Sequence, residues 1–174
     1  MNKKKGFTLV EAVITIAISV IVLSMIASLS YVTSKISASQ KQSSDCVSEY
    51  SQAKLQIEKF VSKFASNEYI FSLDTSSSTD PETGVQNIIK TITIKAKNLD
   101  KNIALIEYKN NIINFYELNA LSEMEVTHYA NASSFKDMSF SFSNDINMLR
   151  CEVSFAKLNN YVFLVNLGGA YFGN

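Results

Sequence analysis

The first third of the chain is patterned in two ways. Residues 7–32 are almost uniformly apolar, with Glu11 the one side chain among them that is charged at neutral pH. Beyond Val32 the apolar positions thin into a stripe: Ile36, then Cys46, Val47, Tyr50, Ala53, Ile57, Phe60, Val61 and Phe64. Steps of three and four place these on one face of a helix. Neither Gly nor Pro stands between Phe7 and Asn67, so the pattern predicts one continuous helix of about 60 residues, roughly 90 Å long. Residues 34–51, rich in Ser, Gln and Lys, read as a solvated transition between its halves.

From Tyr69 the period shortens to two. Residues 88–96 alternate, with Ile92, Ile94 and Ala96 on one face and Thr91, Thr93 and Lys95 on the other. Residues 103–108 and 112–118 flank Asn110-Asn111, a pair that tolerates the positive φ of a tight hairpin. Residues 138–142 and 149–155 alternate most cleanly, and residues 161–167 form a last strand after a turn at Asn159-Asn160. Residues 75–84, with the sole proline at Pro81, read as a loop. The apolar-ended tail, Gly168 to Asn174, reads as a frayed end. The expected fold is therefore α+β: one long amino-terminal helix, its first half transmembrane, packed on an antiparallel sheet of about six to seven strands.

Composition narrows the function classes. The 174 residues hold 16 basic and 16 acidic side chains, which argues against a nucleic-acid partner held by a basic surface. One His and two Cys exclude a zinc-finger framework. The charge is unevenly placed, however. Residues 1–32 carry Lys3, Lys4 and Lys5 against Glu11, for +2; the remainder carries 13 bases and 15 acids, for −2.

The apolar segment explains that asymmetry. Its 26 positions make a helix of about 39 Å against a hydrocarbon core of roughly 30 Å. The lysine cluster orients it with the amino terminus in the cytoplasm and the residues from about Lys35 onward outside. A cleaved secretory signal would have a shorter apolar run and no acid. A plain single-pass anchor fits the length and leaves Glu11 without a reason. A carboxylate in a spanning helix costs on the order of 2.5–3.5 kcal/mol at mid-bilayer and calls for a partner. Cleavage after Gly6 would give Phe7 a new positive amine, four residues before Glu11 and on about the same helical face. Glu11 could then reach its own amine, or that of a staggered neighbour.

The run Lys3-Lys4-Lys5-Gly6-Phe7-Thr8-Leu9-Val10-Glu11-Ala12-Val13-Ile14 closely resembles the prepilin leader and helix start of type IV pilins and of the pseudopilins of type II secretion and DNA-uptake machines. The resemblance implies a leader of residues 1–6, a transmembrane or filament-core segment 7–32, an amphipathic half-helix 33–66 and a globular domain 67–174. It implies that a prepilin peptidase cuts between Gly6 and Phe7 and methylates the Phe7 amine, and that Glu11 neutralises a neighbouring subunit's amino terminus during assembly. The partners implied are that peptidase, other pilin subunits and membrane lipid, with no cofactor. The protein would sit in the cytoplasmic membrane before assembly and in an extracellular pilus or cell-surface pseudopilus after it. Many major pilins have Gly and Pro inside the long helix. Their absence here favours a minor subunit, at the initiating end or tip. The strand count is similar to that of larger minor pilins and J-type pseudopilins.

The other candidates have plainer readings. Cys46 and Cys151 both face the expected interior, and two alternatives stand: a disulfide, contributing up to ~4.7 kcal/mol by the chain-entropy argument, or two buried thiols. His128 reads as a surface or edge-strand residue. Glu123 and Glu125 read as solvated charge, with calcium binding the outside alternative. Phe140, Phe142, Phe155, Tyr161 and Phe163 read as core. Neither G-x-S-x-G, a phosphate-binding Gly loop nor HExxH occurs. The chain is thus expected to be an enzyme's substrate and no enzyme itself. The readings from other classes are a membrane-anchored ligand-binding domain that never polymerises and an anchored enzyme.

Overall fold

A computed structural model describes residues 8–79, 86–99, 101–143, 147–156 and 158–173. The fold is α+β. The chain divides into two compact units, Met1–Ser43 and Ser44–Asn174, and helix α1, Leu9–Ser62, supplies residues to both. This helix of 54 residues is somewhat shorter than the pattern predicts. At its end the ladder tightens: the Lys63 N–H donates to the Phe60 carbonyl at 3.2 Å and the Phe64 N–H to the Val61 carbonyl at 2.9 Å. These three-residue steps close the last turn without a glycine cap.

In the second unit α1 presents the expected stripe. Cys46, Ala53, Ile57, Phe60 and Val61 are buried, with Tyr50 and Phe64 packed against the same core. Burying a side chain such as Ile57 contributes about 1.5–3 kcal/mol, so an aspartate there would break the face. Two positions expected on the stripe are exposed. Ile36 belongs to the first unit, and Val47, one residue past Cys46, is turned about 100° away from the core.

Nine strands follow among the described residues, not six or seven: β1 Tyr69–Thr79, β2 Gln86–Ala96, β3 Asn102–Lys109, β4 Ile112–Leu118, β5 Met124–Asn131, β6 Phe135–Ser143, β7 Met148–Phe155, β8 Tyr161–Asn166 and β9 Tyr171–Phe172. They form two sheets, one in the order β5-β4-β3-β2-β1-β9 and one in the order β6-β7-β8. Asn110 and Asn111 take φ of 51° and 59° in the β3–β4 hairpin, as their residue types require. Ile92 and Ile94 are buried on the inward face of β2, and Leu149, Cys151, Val153 and Phe155 on that of β7. Both sheets reach the helix. The Phe60 ring lies 5.1 Å from that of Phe115 on β4, and the Tyr50 ring 5.1 Å from that of Tyr161 on β8. Lys90 of β2 and Asp137 of β6 form an ion pair at 2.7 Å between the sheets.

Two expectations are corrected. The expected loop at residues 75–84 begins later, because Thr75–Thr79 continue β1 in register with β2, from Thr75 against Lys90 to Thr79 against Gln86. Backbone pairing in a long hairpin outweighs the weak strand preference of a Ser-rich segment. The rest of that loop, Pro81 included, lies outside the described residues. The tail is no frayed end: β9 pairs in parallel with β1, Ile70 against Tyr171 and Phe71 against Phe172. The Gly173 N–H donates to the Phe71 carbonyl at 2.9 Å, and Phe172 stacks on Phe142 at 4.4 Å.

Candidate functional site

The apolar helix segment of the first unit has no interior of its own. Its large hydrophobic side chains from Leu9 to Val32 are between 48% and 83% exposed. A continuous surface of this kind marks a site that lipid or protein must cover, and α1 is long and apolar enough to cross a membrane. Its hydroxyls are largely satisfied within the helix. Thr15 donates to the Glu11 carbonyl at 2.7 Å, Ser19 to the Thr15 carbonyl at 2.8 Å, and Ser28 to the Ser24 carbonyl at 2.9 Å. Such back-bonding removes most of the cost of carrying hydroxyls into hydrocarbon.

Glu11 is the exception, and its environment is specific. Oε2 accepts the Thr8 N–H and the Thr8 hydroxyl, each at 2.9 Å, while Thr8 Oγ1 accepts the Glu11 N–H at 3.3 Å. This is a capping box: Thr8 caps α1 and the acid three residues on satisfies an otherwise unpaired backbone donor. Both donors converge on one oxygen. Among the described residues Oε1 accepts no hydrogen bond, so half of the carboxylate stays open to a cation from elsewhere. The Thr8-x-x-Glu11 spacing is a cap signal that the sequence itself displays. Gly6 and Phe7, the expected cleavage and methylation residues, lie outside the described residues.

Residues 1–27 match the Prokaryotic N-terminal methylation motif. The chain carries a prepilin leader. This motif supports a type IV pilin or pseudopilin family for the chain. The prepilin leader implies processing by prepilin peptidase and assembly with other pilin subunits. Leader and apolar helix together fit a membrane-anchored pilin. No curated protein and no solved structure gives a significant match to the chain.

The remaining candidates lie in the second unit. Cys46 and Cys151 are both buried and stand as free thiols in this structure. Burial, reinforced by the charge of Glu58, pushes the Cys151 thiol far up and suppresses the thiolate that disulfide exchange requires. His128 stands on β5, the outer strand of the larger sheet, and stacks on Phe115 at 4.3 Å with the rings 7° from parallel. Burial and the nearby charge of Lys63 lower its pKa. Glu123 and Glu125 are exposed, and among the described residues no group of three His, Cys, Asp or Glu is placed to hold a metal ion. Phe155 and Phe163 are buried, whereas Phe140 and Phe142 are half-buried and Tyr161 lies at the surface.

Proposed function

We propose that this chain is a minor pilin: a structural subunit processed at Gly6, methylated at Phe7 and built through α1 into a type IV pilus, at its initiating end or tip. One observation carries the reading. The methylation motif runs directly into an exposed apolar helix segment, residues 9–32, whose single acid, Glu11, has one carboxylate oxygen unused among the described residues.

An apolar helix already dissolved in lipid gains little hydrophobic energy on entering a filament, so packing and polar pairs decide assembly. The open oxygen of Glu11 gives the processed amine of an adjacent subunit a partner in a low-dielectric setting, where such a pair is strong. Thr8 keeps the same carboxylate ordered until then. The lysine cluster holds the leader on the cytoplasmic side, and residues beyond the span stand outside. The uninterrupted 54-residue helix and the nine-stranded unit favour the minor subunit over the main one. The protein acts mechanically, as an enzyme's substrate and not as a catalyst.

Mass spectrometry of filaments sheared from cells tests this. The expected product lacks residues 1–6 and gains one methyl group on Phe7, and Glu11→Ala abolishes its recovery in filaments while leaving it in membranes. Filaments containing a chain that still begins at Met1 would overturn the proposal.

A further inference from the structure

A cleft of about 410 Å³ opens between the carboxyl-terminal end of α1 and β5, lined by Leu55, Gln56, Lys59, Phe60, Lys63 and His128. The assembly role makes no use of it. Three features show that its polar groups lack partners. Among the described residues Gln56 Oε1 is buried and accepts no hydrogen bond, which is costly unless a donor fills the site. The Lys59 ammonium makes no ion pair among the described residues, whereas neighbouring Lys63 is tied to Glu117. And β5 is an outer strand, so one row of its backbone donors and acceptors faces away from β4.

The register of β5 defines what would fit. His128 pairs with Phe115 and Glu125 with Glu117, on the face turned to the helix. A register shift beside Phe115, at Thr127, puts Val126 opposite Tyr116 and Met124 opposite Leu118, on the other face. There Val126 and Tyr129 are 47% and 67% exposed and form an unpaired apolar ridge. A strand added to this edge would lie about 4.8 Å from β5, with alternate side chains on opposite faces. Its helix-side residues would enter the cleft and its outer residues would cover the ridge.

We propose that β5 and the cleft take up an extended strand of a partner protein, apolar on its outer face and carrying an acid and, two residues on, a hydroxyl on its helix face. The acid meets Lys59 and the hydroxyl donates to Gln56 Oε1. Glu125, on the same face, excludes a second acid at its end of the site. The proposal does not rest on the assembly role.

His128 is the one histidine of the chain, so its ring signals report on the cleft without ambiguity. The test titrates the full chain in detergent micelles with the capped peptide Val-Glu-Val-Thr-Val, following the His128 ring and the amides of Val126 and His128 by NMR. Saturable shifts of both sets are expected. The affinity falls at least tenfold in Lys59→Glu, an exposed position whose change leaves the rest of the spectrum in place, and with lysine in place of the peptide's glutamate. The proposal fails if millimolar peptide gives no saturable shift, or if Lys59→Glu binds equally well. It fails also if N-acetylglutamate amide moves the ring signals as far without moving the β5 amides, which would mark a pocket for a small acid.

Discussion

The carboxylate of Glu49 on α1 holds the backbone of Ser134: Oε2 accepts the Ser134 N–H at 2.8 Å while Oε1 accepts the Ser133 hydroxyl at 2.7 Å. One side chain thereby fixes the connection between β5 and β6, and with it the passage from one sheet to the other. Hydrogen bonds to a charged acceptor are worth about 1.5–3 kcal/mol, and removing the acceptor leaves a half-buried N–H unpaired. Glu49→Ala is therefore expected to lower stability by about 2 kcal/mol in denaturant titrations, with Glu49→Gln losing less. An effect below about 0.5 kcal/mol would show that the loop holds itself.

The Thr8–Glu11 box lets capping and charge be separated. Thr8→Val removes the cap hydroxyl at a cost of about 1 kcal/mol, so exchange of the Glu11 amide in micelles should speed up roughly fivefold, with Thr8→Ser close to wild type. Glu11→Gln retains a side chain able to close the box and loses only the charge. Its exchange protection should stay near wild type while its incorporation into filaments falls to background. Normal incorporation of Glu11→Gln would mean that assembly needs the cap and not the ion.

The α1 stripe was legible because a buried helix face repeats in steps that sequence displays directly, and the β3–β4 hairpin because Asn110 and Asn111 accept positive φ. Thr75–Thr79 were not, since their strand state comes from pairing with β2 and not from their own preferences. β9 was illegible for a related reason: two residues have no period, and their place beside β1 depends on where the chain turns after β8. At the candidate site, leader and acid could be read residue by residue. The cap could have been, from its spacing. The openings at Gln56 and Lys59 are products of packing and leave no local trace.

Cys151 offers a clean chemical test of its burial. The thiol is held protonated by desolvation, and the thiolate is the reactive form. At pH 8 the folded chain should resist alkylation at Cys151 for as long as the core stays closed, and react promptly once denaturant opens it. Prompt labelling of Cys151 in native buffer would place this strand outside the core.

Tyr108 couples the larger sheet to pH. Burial raises its phenol from 10.0 to about 12, with the charge of Asp137 adding to the effect, and its hydroxyl lies 3.2 Å from Asn111 Oδ1. Above pH 10 the unfolded chain releases this proton while the folded chain keeps it. The unfolded state then binds fewer protons, so stability falls as pH rises, with the loss developing between pH 10 and about 12. Burial also raises Tyr50 and Tyr116, so phenolate absorbance should show several late-titrating tyrosines, and Tyr108→Phe should remove the component near pH 12 and flatten the alkaline decline. An unchanged decline in that variant would assign it to another group.

The turn that brings the tail to β1 depends on one residue. Gly168 has φ of 59°, and a Cβ built there would lie 2.4 Å from the Ala65 carbonyl oxygen, just past the end of α1. A side chain thus meets two separate obstacles: the left-handed backbone costs roughly 1–2 kcal/mol, and the contact lies inside van der Waals distance of a backbone atom that cannot rotate away. The flanking groups leave little freedom to relax, since the Gly168 N–H donates to Asn166 Oδ1 at 2.8 Å and the Leu167 N–H to the Asn147 carbonyl at 3.2 Å. Gly169 is the internal control, because a Cβ there would meet its nearest atom, the Asn67 nitrogen, at 3.4 Å. Gly168→Ala should therefore cost more than about 2 kcal/mol and expose the amide of Gly173 to exchange, while Gly169→Ala changes stability by under about 1 kcal/mol. Equal effects at the two positions would mean that the close approach to Ala65 does not constrain the turn.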